Sequence, residues 1–443
     1  MSRQPGANPS SSSSGRPWTG RLVQNAVALM ISAGGSAGLG VAFWAVAAHL
    51  ATPAAVGRTS AEIAAMILLA SLANLSFGTI FERFLPVAGT QTRGFILRAY
   101  AMCVVFAFVA TSIYAFSGMA RSFLPPSFLW RSLFILAVVL WTIFALQDSA
   151  LIGLRASKWV PVENIIFALI KLALLPLLIA TSPHQGIFLA WSAPVILTLI
   201  VVNWYLFTKR IPEHEATESP MESLPRAKEL VLLAGAQYAT LLFSVLTPSI
   251  VTLIVVERLG AVANAHYYLP ALIAASVSIF LLSVFRSFVV EAASEPHRMR
   301  HHTNMAIGAM TTVLVPCVLV GVIFAPLILR LFGAGYAEHS TTLLRMLLLS
   351  LPLSAVSIFY SAFAWLDRHV WWMALRDLIS AVIYFGIVFW LLGRIGIVSI
   401  GIASLVSSTL QGIFFLPISI RRYRLTSNSE PSQSGGSAEA PAI

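Results

Sequence analysis

Apolar segments long enough to cross a lipid bilayer recur along almost the whole of this 443-residue chain. A hydrocarbon core of about 30 Å requires roughly 20 apolar residues in a helix. Backbone polar groups in lipid must be paired within their own segment, and these segments lack the alternation of barrel strands. The sequence therefore predicts an all-α, polytopic membrane protein with twelve spans, at 25–48, 61–85, 96–117, 131–153, 161–180, 187–208, 229–255, 264–289, 304–329, 341–365, 371–392 and 396–419.

The composition supports the same class. The chain is 58% hydrophobic and 10% charged, with a mean hydropathy of +0.84, which is far from the balance of a soluble domain. Most of the 28 Lys and Arg residues fall on one side of the membrane when twelve spans are counted. The positive-inside rule then predicts a multi-pass protein of the cytoplasmic (inner) membrane with both termini cytoplasmic. The net charge of +11 is explained by this topology and by anionic lipid, so no nucleic-acid partner is expected.

A charged, Pro-containing segment at 209–228 divides the chain into two halves of six spans. The sequence predicts an N-terminal lobe at 21–208 and a C-terminal lobe at 229–420. Residues 1–20 and 421–443 are rich in small and polar residues and are predicted to be disordered tails. Cys103 and Cys317 lie within predicted spans, so neither a disulfide nor a metal site is expected, and no cofactor is predicted.

Two charged residues fall inside neighbouring apolar spans. Lys171 lies about ten residues into the fifth span, near the bilayer midplane, and Asn164 shares its face. Asp148 lies within the fourth span. A charge at such depth costs roughly 2.5–3.5 kcal/mol, so it usually faces a partner or a wet cavity. Two interpretations stay open: an Asp148–Lys171 ion pair that stabilises the hairpin, and a Lys171 that faces an anionic substrate.

Further polar residues at helical spacing are candidates for substrate contact. Asn74 lies in the second span, which ends at Arg83, and Arg286 lies at the corresponding end of the eighth. Gln237 lies in the seventh span. Polar residues at such spacing are more typical of plain helix packing. Their location near the expected interface between the two halves nevertheless favours a cavity.

The block DSALIGLR at 148–155, followed by WVPVEN at 159–164 and by Lys171, resembles a known family. So do the segments LANLSFG at 72–78, RFLP at 83–86, FGAGY at 332–336 and GRIG at 393–396. They are similar to lipopolysaccharide-biosynthesis and polysaccharide-export membrane proteins. Those proteins are grouped with the oligosaccharide flippases of the multidrug/oligosaccharidyl-lipid/polysaccharide (MOP) superfamily. The resemblance extends over 22–420.

The resemblance implies two six-helix lobes that enclose a basic cavity and work by alternating access. The implied activity is flipping of a polyprenyl-diphosphate-linked oligosaccharide across the cytoplasmic membrane for cell-surface polysaccharide biosynthesis. The implied partners are this lipid-linked glycan, the bilayer, and a polysaccharide polymerase or ligase. In such a cavity Lys171 and Arg83 would contact phosphate, with Arg286 as a weaker candidate. The amides of Asn74, Asn164 and Gln237 would contact the glycan.

Two other functions stay open. A drug/cation antiporter of the same superfamily usually carries a coupling carboxylate in its first span or in its second half. Residues 25–48 and 230–256 contain no acid, and Asp148 is the only acid expected inside the membrane. A membrane glycosyltransferase or polymer ligase would need catalytic acids and a large outer loop, whereas the outer loops are short and hold few acids, such as Glu62. No catalytic residue is therefore predicted, and the chain is not expected to be an enzyme.

Overall fold

The computed structural model describes residues 35, 37–217, 227–294, 299–366 and 370–427. Within these ranges the chain is helical and contains no β-strand. Ten of its helices are long and apolar enough to span a membrane, and a shorter apolar helix, α1 (Ala37–Leu50), precedes them. One of the ten, Leu246–Phe285, contains a backbone break at Gly260. The described residues therefore contain ten candidate spans, one of them kinked, and one shorter apolar helix, compared with the twelve spans predicted.

The first half of the chain consists of α1 followed by helices that pack both on sequence neighbours and on more distant helices. The pairs α4–α5 and α6–α7 are adjacent, and α2 packs against α4 and α5. Pro53 begins α2, and the Thr52 hydroxyl caps it by accepting a 3.3 Å hydrogen bond from the Ala55 N–H. The helices are α2 (Pro53–Ala73), α3 (Phe77–Phe84), α4 (Thr92–Phe116), α5 (Phe128–Gly153), α6 (Trp159–Thr181) and α7 (Gly186–Tyr205).

The second predicted span is broken, so the prediction of one continuous helix over 61–85 is wrong. Helix α2 ends at Ala73 and α3 begins at Phe77. Between them Leu75 and Ser76 have φ angles of 44° and 65°. A non-glycine residue in this left-handed region costs roughly 1–3 kcal/mol and persists only where its surroundings impose it. Here the Phe77 N–H donates a 2.7 Å hydrogen bond to the Asn74 carbonyl, which closes the turn.

Part of the predicted linker at 209–228 is an ordered helix, α8 (Ile211–Thr217). It follows a single π-helical turn at Leu206–Arg210 and packs against the first half. The His214 Nε2 lies 2.9 Å from the Leu85 carbonyl oxygen, and the Arg93 N–H donates a 2.9 Å hydrogen bond to Glu215 Oε1. These contacts explain why this segment is helical, since its charge and proline content alone favour a loop. Residues 218–226 lie outside the described residues.

The second half is dominated by α9, which runs through the loop that the sequence predicts between its seventh and eighth spans. At Gly260 the angles φ 86° and ψ 173° interrupt the helix, so a kink replaces that loop. Helix α13 packs against α9 and α15. The helices are α9 (Ala227–Ser294), α10 (Met299–Ala309), α11 (Val315–Ile323), α12 (Ala325–Arg330), α13 (Ala334–Leu366), α14 (Val370–Ile395) and α15 (Val398–Ser427).

The chain ends were predicted to be disordered tails at 1–20 and 421–443. Helix α15 continues to Ser427, so 421–427 are helical rather than disordered. Residues 1–20 and 428–443 lie outside the described residues. The cytoplasmic location of both termini stays a prediction.

The two halves meet where α1 and α2 pack against α9. A Cβ added at Gly57 would lie 1.7 Å from the Ala261 carbonyl oxygen, so only glycine permits this approach. Beside it, the buried Asn264 amide donates hydrogen bonds to the Gly57 carbonyl (2.7 Å) and to the Ser60 hydroxyl (3.0 Å). We call the contact formed by Gly57, Ser60, Ala261 and Asn264 the α2–α9 seam. It joins the two halves at the end where α2 begins.

Candidate functional site

The Lys171 ammonium lies among aromatic rings inside the first half of the chain. Lys171 is 5% exposed on α6, and its Nζ is 3.6 Å from the centroid of a Trp191 ring. The ring centroids of Phe167 and Phe43 are 5.1 and 5.2 Å from Nζ. These rings belong to α7, α6 and α1, so three helices form the site. We call Lys171 with Phe43, Phe167 and Trp191 the Lys171 cage.

No carboxylate lies within 4.0 Å of Lys171 in the part of the chain that the structure describes. Asp148 contacts Asn164 instead, whose Nδ2 donates a 3.5 Å hydrogen bond to Asp148 Oδ2. The other oxygen, Asp148 Oδ1, is buried without a hydrogen-bond partner. The Asp148–Lys171 ion pair, one of the two interpretations of the sequence, is therefore not formed in this conformation.

A chain of aromatic rings leads from the Lys171 cage to the second half of the molecule. The Trp44 ring is 6.2 Å from Trp191 and 4.8 Å from Tyr268, centroid to centroid. Tyr268 lies on α9, four residues after Asn264 of the α2–α9 seam. We call Trp191, Trp44 and Tyr268 the aromatic chain. It places the Lys171 cage in contact with the helix that closes the seam.

A second polar cluster joins α5, α6 and α7. Gln147 is fully buried; its Nε2 donates to Glu163 Oε1, and its Oε1 accepts a 2.8 Å hydrogen bond from Asn203 Nδ2. Glu163 is 5% exposed, and its Oε2 has no hydrogen-bond partner. Glu62, predicted to lie in an outer loop, is 2% exposed within α2. The prediction that Asp148 is the only buried acid is therefore wrong.

The remaining predicted site residues lie away from Lys171, or their side chains are outside the described residues. Arg83 is exposed at the end of α3, with its guanidinium 5.6 Å from the Phe84 ring centroid. Asn74 lies at the end of α2, where its Oδ1 is buried without a hydrogen-bond partner. Arg286 and Gln237 lie on α9, and their side chains are outside the described residues. Of the predicted set, the structure thus brings together Asn164 and Asp148.

In the described ranges, no cluster of three or more His, Cys, Asp or Glu side chains could hold a metal ion. The carboxyl groups of Asp148 and Glu163 are instead bonded to amides of neighbouring helices.

The fold is that of known membrane transporters. A multidrug resistance MATE family transporter of the MOP superfamily, solved in an inward-facing conformation, is 15% identical over 90% of this chain and 96% of its own, with a TM-score of 0.67. A MATE structure in a straight conformation is 13% identical over 92% of this chain and 96% of its own, with a TM-score of 0.61. No family model matches the chain, and no curated protein sequence matches it.

A third similar structure differs in its binding pocket. It is a MOP superfamily transporter from Pyrococcus furiosus, whose reversed pocket polarity suggests a different function for it. It is 13% identical over 92% of this chain and 96% of its own, with a TM-score of 0.61. Together these similarities show that the chain has the fold of the MATE transporters, and its ten apolar helices of spanning length among the described residues support a multi-pass membrane protein.

Proposed function

We propose that this chain carries an anionic, lipid-linked headgroup across the cytoplasmic membrane by alternating access. The proposed cargo is a polyprenyl-diphosphate-linked oligosaccharide for surface polysaccharide synthesis, with a polymerase or ligase as the next user of the product. The observation that carries the proposal is the buried Lys171 ammonium, which has no carboxylate within 4.0 Å among the described residues. The fold supports a transporter, and the transporter from Pyrococcus furiosus illustrates that pocket polarity varies on this fold.

The Lys171 cage is short of negative charge and of hydrogen-bond acceptors. Burial of an ammonium costs several kcal/mol even after the protein relaxes. A cation–π contact returns roughly 0.5–2 kcal/mol, and rings accept none of the three N–H groups well. A diphosphate supplies both the missing charge and the missing acceptors. A phosphate-bearing headgroup is therefore the ligand that best completes this site.

The aromatic chain offers a route from headgroup binding to movement of the two halves. An anion that bonds to the Lys171 Nζ would draw it from the Trp191 face, 3.6 Å away. Trp191 packs on Trp44, and Trp44 packs on Tyr268 of α9. A shift of these rings changes the packing beside the α2–α9 seam. The headgroup would thus favour a state in which the halves are arranged differently.

The test uses the full-length protein in liposomes with a fluorescent, farnesyl-diphosphate-linked saccharide. A membrane-impermeant reductant reports how much of the probe has crossed. We expect Lys171→Ala to slow flipping by tenfold or more and Lys171→Arg to retain part of the rate, because it keeps the charge. Lys158→Ala is the matched control, since Lys158 is an exposed lysine that precedes the same helix. A folded Lys171→Ala protein that flips the probe at the wild-type rate would contradict the proposal.

A drug/cation antiporter is the second candidate, and the buried carboxyl groups favour it. Glu163 and Asp148 each have one buried oxygen without a hydrogen-bond partner among the described residues, which leaves that oxygen able to take up a proton or contact a cation. Such a protein would expel cationic dyes when a pH or Na⁺ gradient is imposed on liposomes. Glu163→Gln should then abolish dye efflux, while Lys171→Ala should leave it intact. The opposite pattern, with flipping lost in Lys171→Ala and no dye efflux, supports the flippase.

A further inference from the structure

A cavity of about 660 Å³ lies in the first half, at the end where α2 begins. Its volume falls within the roughly 300–1,000 Å³ that is usual for small-molecule sites. It shares no lining residue with the Lys171 cage, so it is a separate site. It is lined by residues of α2, of the α4–α5 connection, of the start of α5 and of the α6–α7 connection, among them Arg58, Glu62, Arg121, Ser122, Trp130 and Gln185. We call it the Arg58 cavity.

The wall of the Arg58 cavity holds more positive charge than negative. Arg58 interacts electrostatically with Glu62, but neither Arg58 nor the exposed Arg121 has a salt bridge or a side-chain hydrogen bond to another described residue, so no described residue takes up their guanidinium donors. Glu62 lies one turn after Arg58 and is the only acid in the wall. Two guanidinium groups against one carboxyl group leave an excess of cationic donors. Arginine in this arrangement is suited to phosphate, which it can bind through two parallel hydrogen bonds.

Other groups in the wall are suited to hydroxyl groups and to an apolar ring face. Glu62 Oε2 and Ser122 Oγ have no hydrogen-bond partner among the described residues, which is costly for buried polar atoms; neighbouring atoms cover them, so a hydroxyl group of a ligand reaches them once these side chains turn toward the cavity. Gln185 is 9% exposed and can both donate and accept. Trp130 adds a flat apolar surface with one polar N–H. Hydrogen-bonding groups and an aromatic face suited to a saccharide thus lie in the same cavity as the two arginines suited to a phosphate.

We infer that the Arg58 cavity binds a sugar phosphate headgroup, with the phosphate on Arg58 and Arg121 and the sugar against Trp130 and Glu62. This inference rests on the proposed function, because the cargo proposed there carries such a headgroup. The charge distribution predicts that this end of the molecule faces outward. The cavity is then the site that receives the headgroup after it has left the Lys171 cage.

The same two turns of α2 form the cavity and the α2–α9 seam. Arg58 follows Gly57 directly, and Glu62 follows Ser60 by two residues. Gly57 and Ser60 accept the hydrogen bonds of Asn264. The cavity and the seam therefore share one stretch of the α2 backbone.

The test measures binding to the full-length protein in detergent by titration calorimetry. The probes are a farnesyl-diphosphate-linked saccharide, inorganic pyrophosphate and the free saccharide. Each probe is titrated into the wild type and into Lys171→Ala, so that binding in the Lys171 cage is separated from binding in the cavity. We expect the sugar diphosphate to bind in both proteins and more tightly than either fragment. In the Lys171→Ala background, Arg58→Ala and Arg121→Ala should each weaken it about tenfold or more.

Arg131→Ala is the matched control. Arg131 lies at the same end, with its guanidinium 5.3 Å from the Phe116 ring centroid, and it is outside the cavity wall. Its replacement should leave the affinity unchanged. Arg58→Gln, which keeps a polar side chain, replaces Arg58→Ala if that variant does not fold. Unchanged affinity in both folded arginine variants, or pyrophosphate bound as tightly as the sugar diphosphate, would overturn the inference.

Failure of the inference differs from failure of the proposed function. If the liposomes show no flipping but Arg58→Ala and Arg121→Ala weaken sugar diphosphate binding, the binding site in the cavity is supported and the flipping activity is rejected. If flipping depends on Lys171 but both arginine variants bind the sugar diphosphate as the wild type does, the flipping activity is supported and the binding site in the cavity is rejected.

Discussion

Replacement of Gly57 by alanine should separate the two halves of the molecule where α2 begins. The added Cβ would lie 1.7 Å from the Ala261 carbonyl oxygen and 3.0 Å from the Ala265 nitrogen, whereas ordinary contact begins near 3.4 Å. Both obstacles are backbone atoms of α9, so no side-chain rotation relieves the clash. Helices α2 and α9 must therefore move apart by about 2 Å.

This movement breaks the hydrogen bonds that Asn264 donates across the α2–α9 seam. Their lengths of 2.7 and 3.0 Å leave no room for such a displacement. Each buried hydrogen bond contributes about 0.5–1.5 kcal/mol, so the closed state loses about 1–3 kcal/mol. That loss changes the ratio of closed to open molecules roughly 5- to 150-fold.

Distances between spin labels on the two halves measure this ratio. Met119 and Leu331 are exposed positions for the labels, at 68% and 65% of their surface. Met119 lies in the connection that lines the Arg58 cavity. Leu331 lies five residues before Tyr336, whose ring is 5.1 Å from that of His266, so this label is close to the seam on the second half. Gly57→Ala should move the distance distribution from a short population to a longer one.

Gly386→Ala is the control for this measurement. A Cβ at Gly386, within α14, would meet nothing within 4 Å, so the substitution adds a methyl group without a clash. Its distance distribution should match that of the parent protein. If Gly57→Ala also leaves the distribution unchanged in folded protein, then the seam does not hold the halves closed and the reasoning is refuted.

Two further predictions concern the polar cluster and the topology. Glu163→Leu should lower the melting temperature in detergent, because it leaves the buried Gln147 amide without its acceptor at a cost of about 1–3 kcal/mol; Glu163→Gln should have a smaller effect, and equal melting temperatures for the two variants would contradict this account. Reporter fusions after Arg121 and after Arg394 should both report the outer side of the membrane, and a cytoplasmic signal at either position would reject the predicted orientation.

The spans could be predicted because hydropathy is a local property of the sequence. The features that were missed depend on contacts between distant segments. The break at Leu75 and Ser76 contains neither glycine nor proline, so no local signal indicates it. Helix α8 is held by the Leu85 carbonyl and the Arg93 N–H, which the sequence places more than a hundred residues away.

In the candidate site, too, features set by the local sequence could be predicted, and features set by contacts between distant helices could not. Lys171 could be predicted as a buried charge, and Phe167 lies four residues before it on the same helix face. Phe43 and Trp191 come from α1 and α7, so their contact with Nζ follows only from the packing of three helices. Glu163 was missed for a related reason. Its partners Gln147 and Asn203 lie on other helices, and an acid near the end of a span resembles a solvated one.

The position of Lys171 also limits what a headgroup can do to the protein. A ligand shifts a conformational equilibrium only by the difference in its affinity for the two states. With the seam closed, the ammonium faces Trp191 at 3.6 Å, and a bound anion must compete with that contact. Under the proposed function, a state in which the aromatic chain has moved would free the ammonium for the diphosphate. The anion would then bind that state more tightly, and the packing beside Tyr268 at the α2–α9 seam would have to change.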